Sequence, residues 1–252
     1  MRVTGERVTT AEGGFNPTFQ RHVAAYALCA PLLGDARKVL DLGCGVGHSY
    51  RLLGDRETVG VDLDADALAG QDRETHVADM RDLPFADATF DAVLSVQSVE
   101  HVPDAPRVVA EAARVLKPGG VAIFVTPNRL TFGRPDEIID PYHFVEYAPD
   151  ELRALLAPAF ADVEVRGLFG SARMQRFLDD QRDRMERVLR LDVLGVRKRL
   201  PRRALMWLYD TALTRSRRTV SPDAAAITPD DFHLADDGLE RCLDVVGIGR
   251  KA

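Results

Sequence analysis

The sequence predicts an α/β fold, a doubly wound parallel sheet with helices on both faces. Two observations carry this. Short apolar runs of strand length alternate with helix-length segments between residues 38 and 126, the alternation that builds parallel sheets. The first of these runs passes into Asp41-Leu42-Gly43-Cys44-Gly45-Val46-Gly47-His48, and an acid, Asp62, closes the next run 21 residues after Asp41. Glycines at alternate positions let the chain turn sharply and leave room against a ligand.

The elements follow in order. Residues 17–33 read as a helix, with Pro17 at its start, Phe19, Val23 and Ala27 along it, and Gly34 just past its end. Strands are expected at 38–42, 57–61, 75–78, 90–95 and 120–126, with helical segments near 46–53, 64–70 and 105–116 between them. After Thr126-Pro127-Asn128 comes a polar loop holding Pro135 and Pro141. A helix near 149–157 opens with Pro149-Asp150-Glu151, and residues 162–168 and 242–250 read as the last two strands. Between those strands, Met174, Phe177, Leu178, Met185, Val188 and Leu189 recur at three- and four-residue steps, which gives a helix one apolar face. A second helix is expected over 202–214, with Trp207 and Tyr209, and 221–231 reads as the return connection. The organisation is thus one unit, 1–170 with 221–252, carrying a helical basic insertion at 171–220.

Composition sets the class. A chain of 252 residues fits one large domain or a domain with a substantial insertion. Its 46% hydrophobic and 29% charged residues are those of a globular protein. Three cysteines, Cys29, Cys44 and Cys242, are odd in number and lack metal spacing, which points away from a disulfide framework. The N-terminus lacks the apolar core of a signal peptide, and no apolar run is long enough to span a bilayer, so a cytoplasmic location is expected. Net charge is −6, yet residues 171–218 hold 14 Arg and Lys against 6 Asp and Glu. That local excess could serve an anionic acceptor or surface. The acidic whole and the absence of an RNA- or DNA-binding motif argue against nucleic acid.

The glycine turn indicates the ligand. An acid ending the second strand can accept hydrogen bonds from both ribose hydroxyls, so Asp62 points to an adenosine-containing cofactor. The third glycine of a dinucleotide fingerprint is missing, with Ser49 and Tyr50 near its place, and no G-K-[ST] follows. A carboxylate at Asp41 would repel a pyrophosphate and suit an ammonium group. S-adenosylmethionine (SAM) has a ribose, an adenine, a sulfonium and an α-ammonium, and no phosphate.

The run from Val39 to His48, with Asp62, Val77-Ala78-Asp79-Met80, Leu83-Pro84-Phe85, Thr89-Phe90-Asp91-Ala92-Val93, Val99-Glu100-His101-Val102 and Val115-Leu116-Lys117-Pro118-Gly119-Gly120, resembles the class I SAM-dependent methyltransferases in order and spacing over roughly residues 36–127. The resemblance is to small-molecule, sugar and ubiquinone-biosynthesis-type enzymes. It implies a seven-stranded sheet whose last strand is antiparallel and inserted beside strand 5. It also implies that Asp41, Gly43, Gly45 and Gly47 hold the methionine end, Asp62 and Leu63 the ribose region, Asp79 and Met80 the adenine, and that Gln97 lies near the sulfonium. The family normally joins its last two strands by a short turn; here residues 169–241 intervene. That insertion suits a lid over the acceptor, a homodimer contact, or a helical pair packed on the domain.

Methyl transfer needs alignment and, for a hydroxyl acceptor, a base. His101, after strand 4, and His143, in Asp140-Pro141-Tyr142-His143-Phe144-Val145-Glu146-Tyr147, are the two candidates. The aromatics and acids beside His143 suit an acceptor rich in hydroxyls, so a small-molecule or glycan acceptor and O-methylation are expected. C- or N-methylation of a small metabolite, and a SAM-binding sensor or assembly protein, are the alternatives. Asp136, Glu137, Asp140, His143 and Glu146 cluster in sequence but match no metal motif, and no metal is expected. His22 and Tyr26 could line the cofactor mouth or pack beside it.

Overall fold

A computed structural model describes residues 16–132, 137–191, 199–216 and 222–252. Pro135 and Asp136 lie outside them, as do 192–198 and 217–220 of the expected insertion and residue 221 just after it. Among the described residues one sheet holds eight strands: β1 (Lys38–Leu42), β2 (Glu57–Asp62), β3 (Thr75–Val77), β4 (Phe90–Val96), β5 (Leu116–Pro127), β6 (Asp162–Gly170), β7 (Phe232–Ala235) and β8 (Asp244–Arg250). Their order is β3-β2-β1-β4-β5-β8-β6-β7. The first five pair in parallel, and β8 lies antiparallel between β5 and β6. This is the expected doubly wound sheet with its inserted antiparallel strand, plus one strand more. The extra strand, β7, caps β6 from Gly167↔Ala235 to Gly170↔Phe232. It follows directly on the expected connection at 221–231 and is only four residues long, too short for an alternating pattern to show.

Strand parity distributes the core. Leu40 and Leu42 of β1 join Val108, Val109 and Ala112 of α3 (after α1, Asn16–Cys29, and α2, Ala65–Leu68, α3 spans Ala105–Val115) on one face. Val39 joins Ala24 and Ala25 of α1 on the other. Because side chains alternate along a strand, Asp41 shares the α1 side with Val39. The helix expected over 17–33 ends earlier, at Cys29, and continues as a 3-10 turn over Ala30–Leu33. Pro31 explains this: it has no N–H to donate and its ring crowds the carbonyl four residues back. The helix expected near 46–53 is only a 3-10 turn, Tyr50–Leu53, because the backbone before it follows left-handed glycines.

Beyond β5 lie α4 (Arg129–Phe132), α5 (Pro149–Leu156), α6 (Ala172–Leu191), α7 (Arg202–Ser216) and α8 (Pro222–Ala225). Met174 of α6 is buried in the core, with Phe177 and Leu178 packed against it. Helix α7 lies on the loop before α5. The Tyr209 hydroxyl donates to Asp140 Oδ2 at 2.8 Å, the Tyr142 hydroxyl to Asp210 Oδ2 at 2.8 Å, and Arg202 Nε to the Pro141 carbonyl at 2.9 Å. Helix α1 is tied to the far end of the chain: Asn16 Nδ2 donates to the carbonyls of Ala224 and Ile227, both at 2.9 Å. No described helix is long and apolar enough to cross a membrane.

Candidate active site

The carboxyl ends of β1, β2 and β4 border a cavity of about 230 Å³. Its wall includes Gly43, Gly45, Asp62, Leu63, Met80, Gln97, Ser98 and His101, joined by His22 and Tyr26 of α1. Gly43, Gly45 and Gly47 all have positive φ, at +74°, +52° and +66°, a region that side chains disfavour. At Gly43 space is decisive as well. A Cβ there would lie 2.5 Å from Ser98 Cβ and 2.8 Å from Ser98 Oγ. Ser98 in turn donates to the Leu42 carbonyl at 3.0 Å and pairs with Ser95 at 2.6 Å, so the turn rests on β4 through a buried hydroxyl pair.

Asp62 is held by two backbone donors, Gly45 N on Oδ2 and Asp64 N on Oδ1, both at 2.9 Å. Its orientation is thereby fixed toward the turn, and each oxygen retains acceptor capacity. Leu63, two-thirds exposed, stands beside it in the wall. Met80, buried, closes the other side of the turn.

Three of the expected cofactor residues sit outside that wall. Asp41 is fully buried beneath the turn, where its Oδ1 accepts from the Tyr26 hydroxyl at 2.7 Å and its Oδ2 faces Arg73 Nη2 at 2.8 Å. Burial raises the Asp41 pKa, and Arg73 opposes the rise. Gly47 packs against Gln71. Asp79 is gripped by its neighbour Arg81, with Nη2 at 2.6 Å from Oδ2, which holds its carboxyl below the usual range.

Gln97 is one of two non-glycine residues with positive φ among those described, at +52°. Its side chain bridges two buried charges that sequence reasoning missed: it accepts from Arg21 Nη2 at 3.1 Å and donates to Asp244 Oδ1 at 2.6 Å. Arg21 and Asp244 also pair directly at 3.0 Å. Burial lifts Asp244 to about 6 despite Arg21 and Gln97. This pair joins α1 to the start of β8 and braces a strained residue at the cavity wall.

The two histidines come together. Their ring centroids are 4.9 Å apart, with His101 in the cavity wall. Their side chains are anchored differently: His101 Nδ1 bonds the Tyr142 carbonyl at 3.2 Å, and His143 Nδ1 bonds Glu146 Oε1 at 2.8 Å. Burial would lower the His143 pKa, but Glu146, Glu100 and Asp140 raise it overall. Glu100, fully buried, accepts from Thr126 Oγ1 at 3.0 Å. Residues 100–101 and 143 are distant in sequence, and the meeting of β4 and β5 in the sheet brings the two segments side by side.

Comparisons with known proteins give the family and the fold. A methyltransferase-domain family matches residues 40–124. Over 185 residues the chain is 40% identical to a protein of Mycobacterium tuberculosis strain H37Rv named as a probable S-adenosylmethionine-dependent methyltransferase, covering 69% of this chain and 67% of that one. The chain belongs to the SAM-dependent methyltransferases. This methyltransferase is also 38% identical over 120 residues to the chloroplastic tocopherol O-methyltransferase of Arabidopsis thaliana, which covers 42% of this chain and 34% of that one. A SAM-dependent methyltransferase from Thermotoga maritima has the same fold, with a TM-score of 0.63 at 18% identity, covering 94% of this chain and 92% of that one. SAM is thus the cofactor. The cavity suits it: the bare glycine turn admits close backbone approach, Asp62 offers acceptors for hydroxyls, and Leu63 and Met80 offer apolar surface.

Proposed function

We propose that this methyltransferase moves the methyl group of SAM to a hydroxyl oxygen of a small molecule, sugars included. The observation that carries this is His101, the imidazole in the cavity wall whose Nδ1 is held by the Tyr142 carbonyl. With Nδ1–H donated there, Nε2 is the nitrogen that accepts the hydroxyl proton. The likeness to a tocopherol O-methyltransferase supports the same chemistry. When bound, SAM supplies a methyl carbon attached to a cationic sulfur.

Asp62 binds the ribose, and Leu63 and Met80 flank the adenine. Gly43 and Gly45 lie against the methionine end. Asp41 and Gly47 shape the turn from behind, and Asp79 orders the segment that carries Met80. Gln97 fixes the wall nearest the reacting carbon. His143 backs His101. Helix α7, clamped on the loop 137–147 by Arg202, Tyr209 and Asp210, acts as a lid strap over the acceptor side. A cytoplasmic setting fits three cysteines that are all buried and unpaired. Trp207, 60% exposed on α7, suits a homodimer contact.

The test is transfer of isotope-labelled methyl from SAM to a panel of phenols, glycosides and amines, in chelator-containing buffer, by wild type and His101→Gln. The expected result is labelled methyl ether, reduced roughly 10²–10⁴-fold in the variant with SAM affinity unchanged. Label on nitrogen or carbon alone, or full activity in His101→Gln, would refute the proposal.

A further inference from the structure

The segment after β4 and the loop before α5 meet at a cluster that the cofactor reading does not use. One ligand atom each from Glu100, His101 and His143 lie within 4.8 Å of one another. Glu100 Oε1 and, next to His143, Glu146 Oε2 are buried without a hydrogen-bond partner among the described residues. A buried carboxylate oxygen with nothing to accept is costly and calls for a cation or a donor. The histidines are also presented as ligating histidines are. Each has Nδ1 fixed from behind, one by a backbone carbonyl and the other by a carboxylate, the arrangement that orients a ring so that Nε2 coordinates.

We propose that Glu100, His101 and His143 form a site for one divalent transition-metal ion, with zinc favoured. Two imidazoles and one carboxylate are a zinc-type donor set, poor for magnesium, which prefers oxygen. Glu146 is the outer partner that holds His143 in place. An ion here ties the loop 137–147 to the segment after β4, and because His101 stands in the cavity wall, its open coordination position belongs to the acceptor side. The sequence led to no metal site: the acids near His143 in the chain match no metal motif, whereas the partners that complete this set come from residues 100 and 101.

Metal and proton compete for the same nitrogen of His101, so the base reading is measured in chelator and the site is measured without acceptor or SAM. Untagged protein is stripped with chelator and titrated with Co²⁺, followed by visible absorption and then by displacement with Zn²⁺. One equivalent of Co²⁺ with d–d bands, bleached by one equivalent of Zn²⁺, is expected. His143→Gln should lose affinity by at least about 100-fold, and Glu146→Gln, which keeps every ligand, by roughly 10–100-fold. Circular dichroism and SAM titration establish that each variant is folded, and His101→Gln provides a second ligand variant if His143→Gln is not. Absence of stoichiometric binding by the stripped wild type, binding as strong as wild type in either folded histidine variant, or preference for Mg²⁺ would overturn the proposal.

Discussion

Adding one methyl group at Gly43 should have a different outcome from adding it two residues later. Both glycines hold positive φ, so alanine at either costs roughly 1–2 kcal/mol of left-handed strain, offset by about 0.4–1 kcal/mol from a stiffer unfolded chain. At Gly45 nothing lies within 4 Å of the new Cβ, and the net loss is about 1 kcal/mol. At Gly43 the new Cβ meets Ser98 Cβ at 2.5 Å. Ser98 must move, and it cannot do so while bonded to both the Leu42 carbonyl and Ser95. Two buried bonds at about 1 kcal/mol each bring Gly43→Ala to about 3 kcal/mol. Urea denaturation measures both losses, and calorimetric titration measures SAM. Gly43→Ala should lose stability and SAM binding together. Gly45→Ala should lose only about 1 kcal/mol yet bind SAM poorly, since its methyl group stands at the cavity. Equal destabilisation of the two variants would refute the argument that Ser98 supports the turn.

Three further outcomes follow from the site. Asp62→Asn keeps the side chain's shape but places an amide where two backbone donors converge; SAM affinity should fall by at least about tenfold, the loss of a charge-assisted bond, as read by calorimetry. His22, half-buried beside the cavity, is held down to about 3, chiefly by burial, so the folded state binds fewer protons than the unfolded one below pH 6.5. Stability should therefore fall as pH drops from 6.5 toward 3, and His22→Asn should flatten that limb of a melting-temperature profile. Asp244 behaves oppositely: burial raises it from 3.8 to about 6, so its contribution is fully present below pH 3.8 and is lost as pH rises through 6. Asp244→Asn should remove that decline, about 3 kcal/mol at most, as measured by urea midpoints from pH 4 to 7.

Much of this was legible in the chain because it is local. The glycine turn, the acid at 62 and the helix at Arg202–Ser216 are written in neighbouring residues, where a two- or four-residue period or a fixed spacing speaks directly. What was not legible is what the sheet order brings together. Nothing near Asp41 in sequence announces that Arg73 will reach its buried oxygen, or that Tyr26 will cover the other. The pairing of Arg21 with Asp244 spans nearly the whole chain. His101 and His143 each stood out alone, as titratable groups beside strand ends, but their contact follows from β4 and β5 being neighbours. Strand β7 was missed because four residues are too few for a period to register, and what fixes it is the open edge of β6.

The place of β8 has a consequence for how the molecule is made. In the sheet, β6 pairs only with β7 and β8, both synthesised after it, so a growing chain holds β6 without a partner until residues 232–250 emerge. The parallel half, β1 to β5, needs nothing later than residue 127 for its own pairings. Helix α1, the first described element, meets β1 through Tyr26 and Asp41, but its other anchors, Ala224, Ile227 and Asp244, come only with the last residues made. The wall of the cavity is therefore built from both ends of the chain, and the anchoring of its α1 side is complete only once β8 is in the sheet.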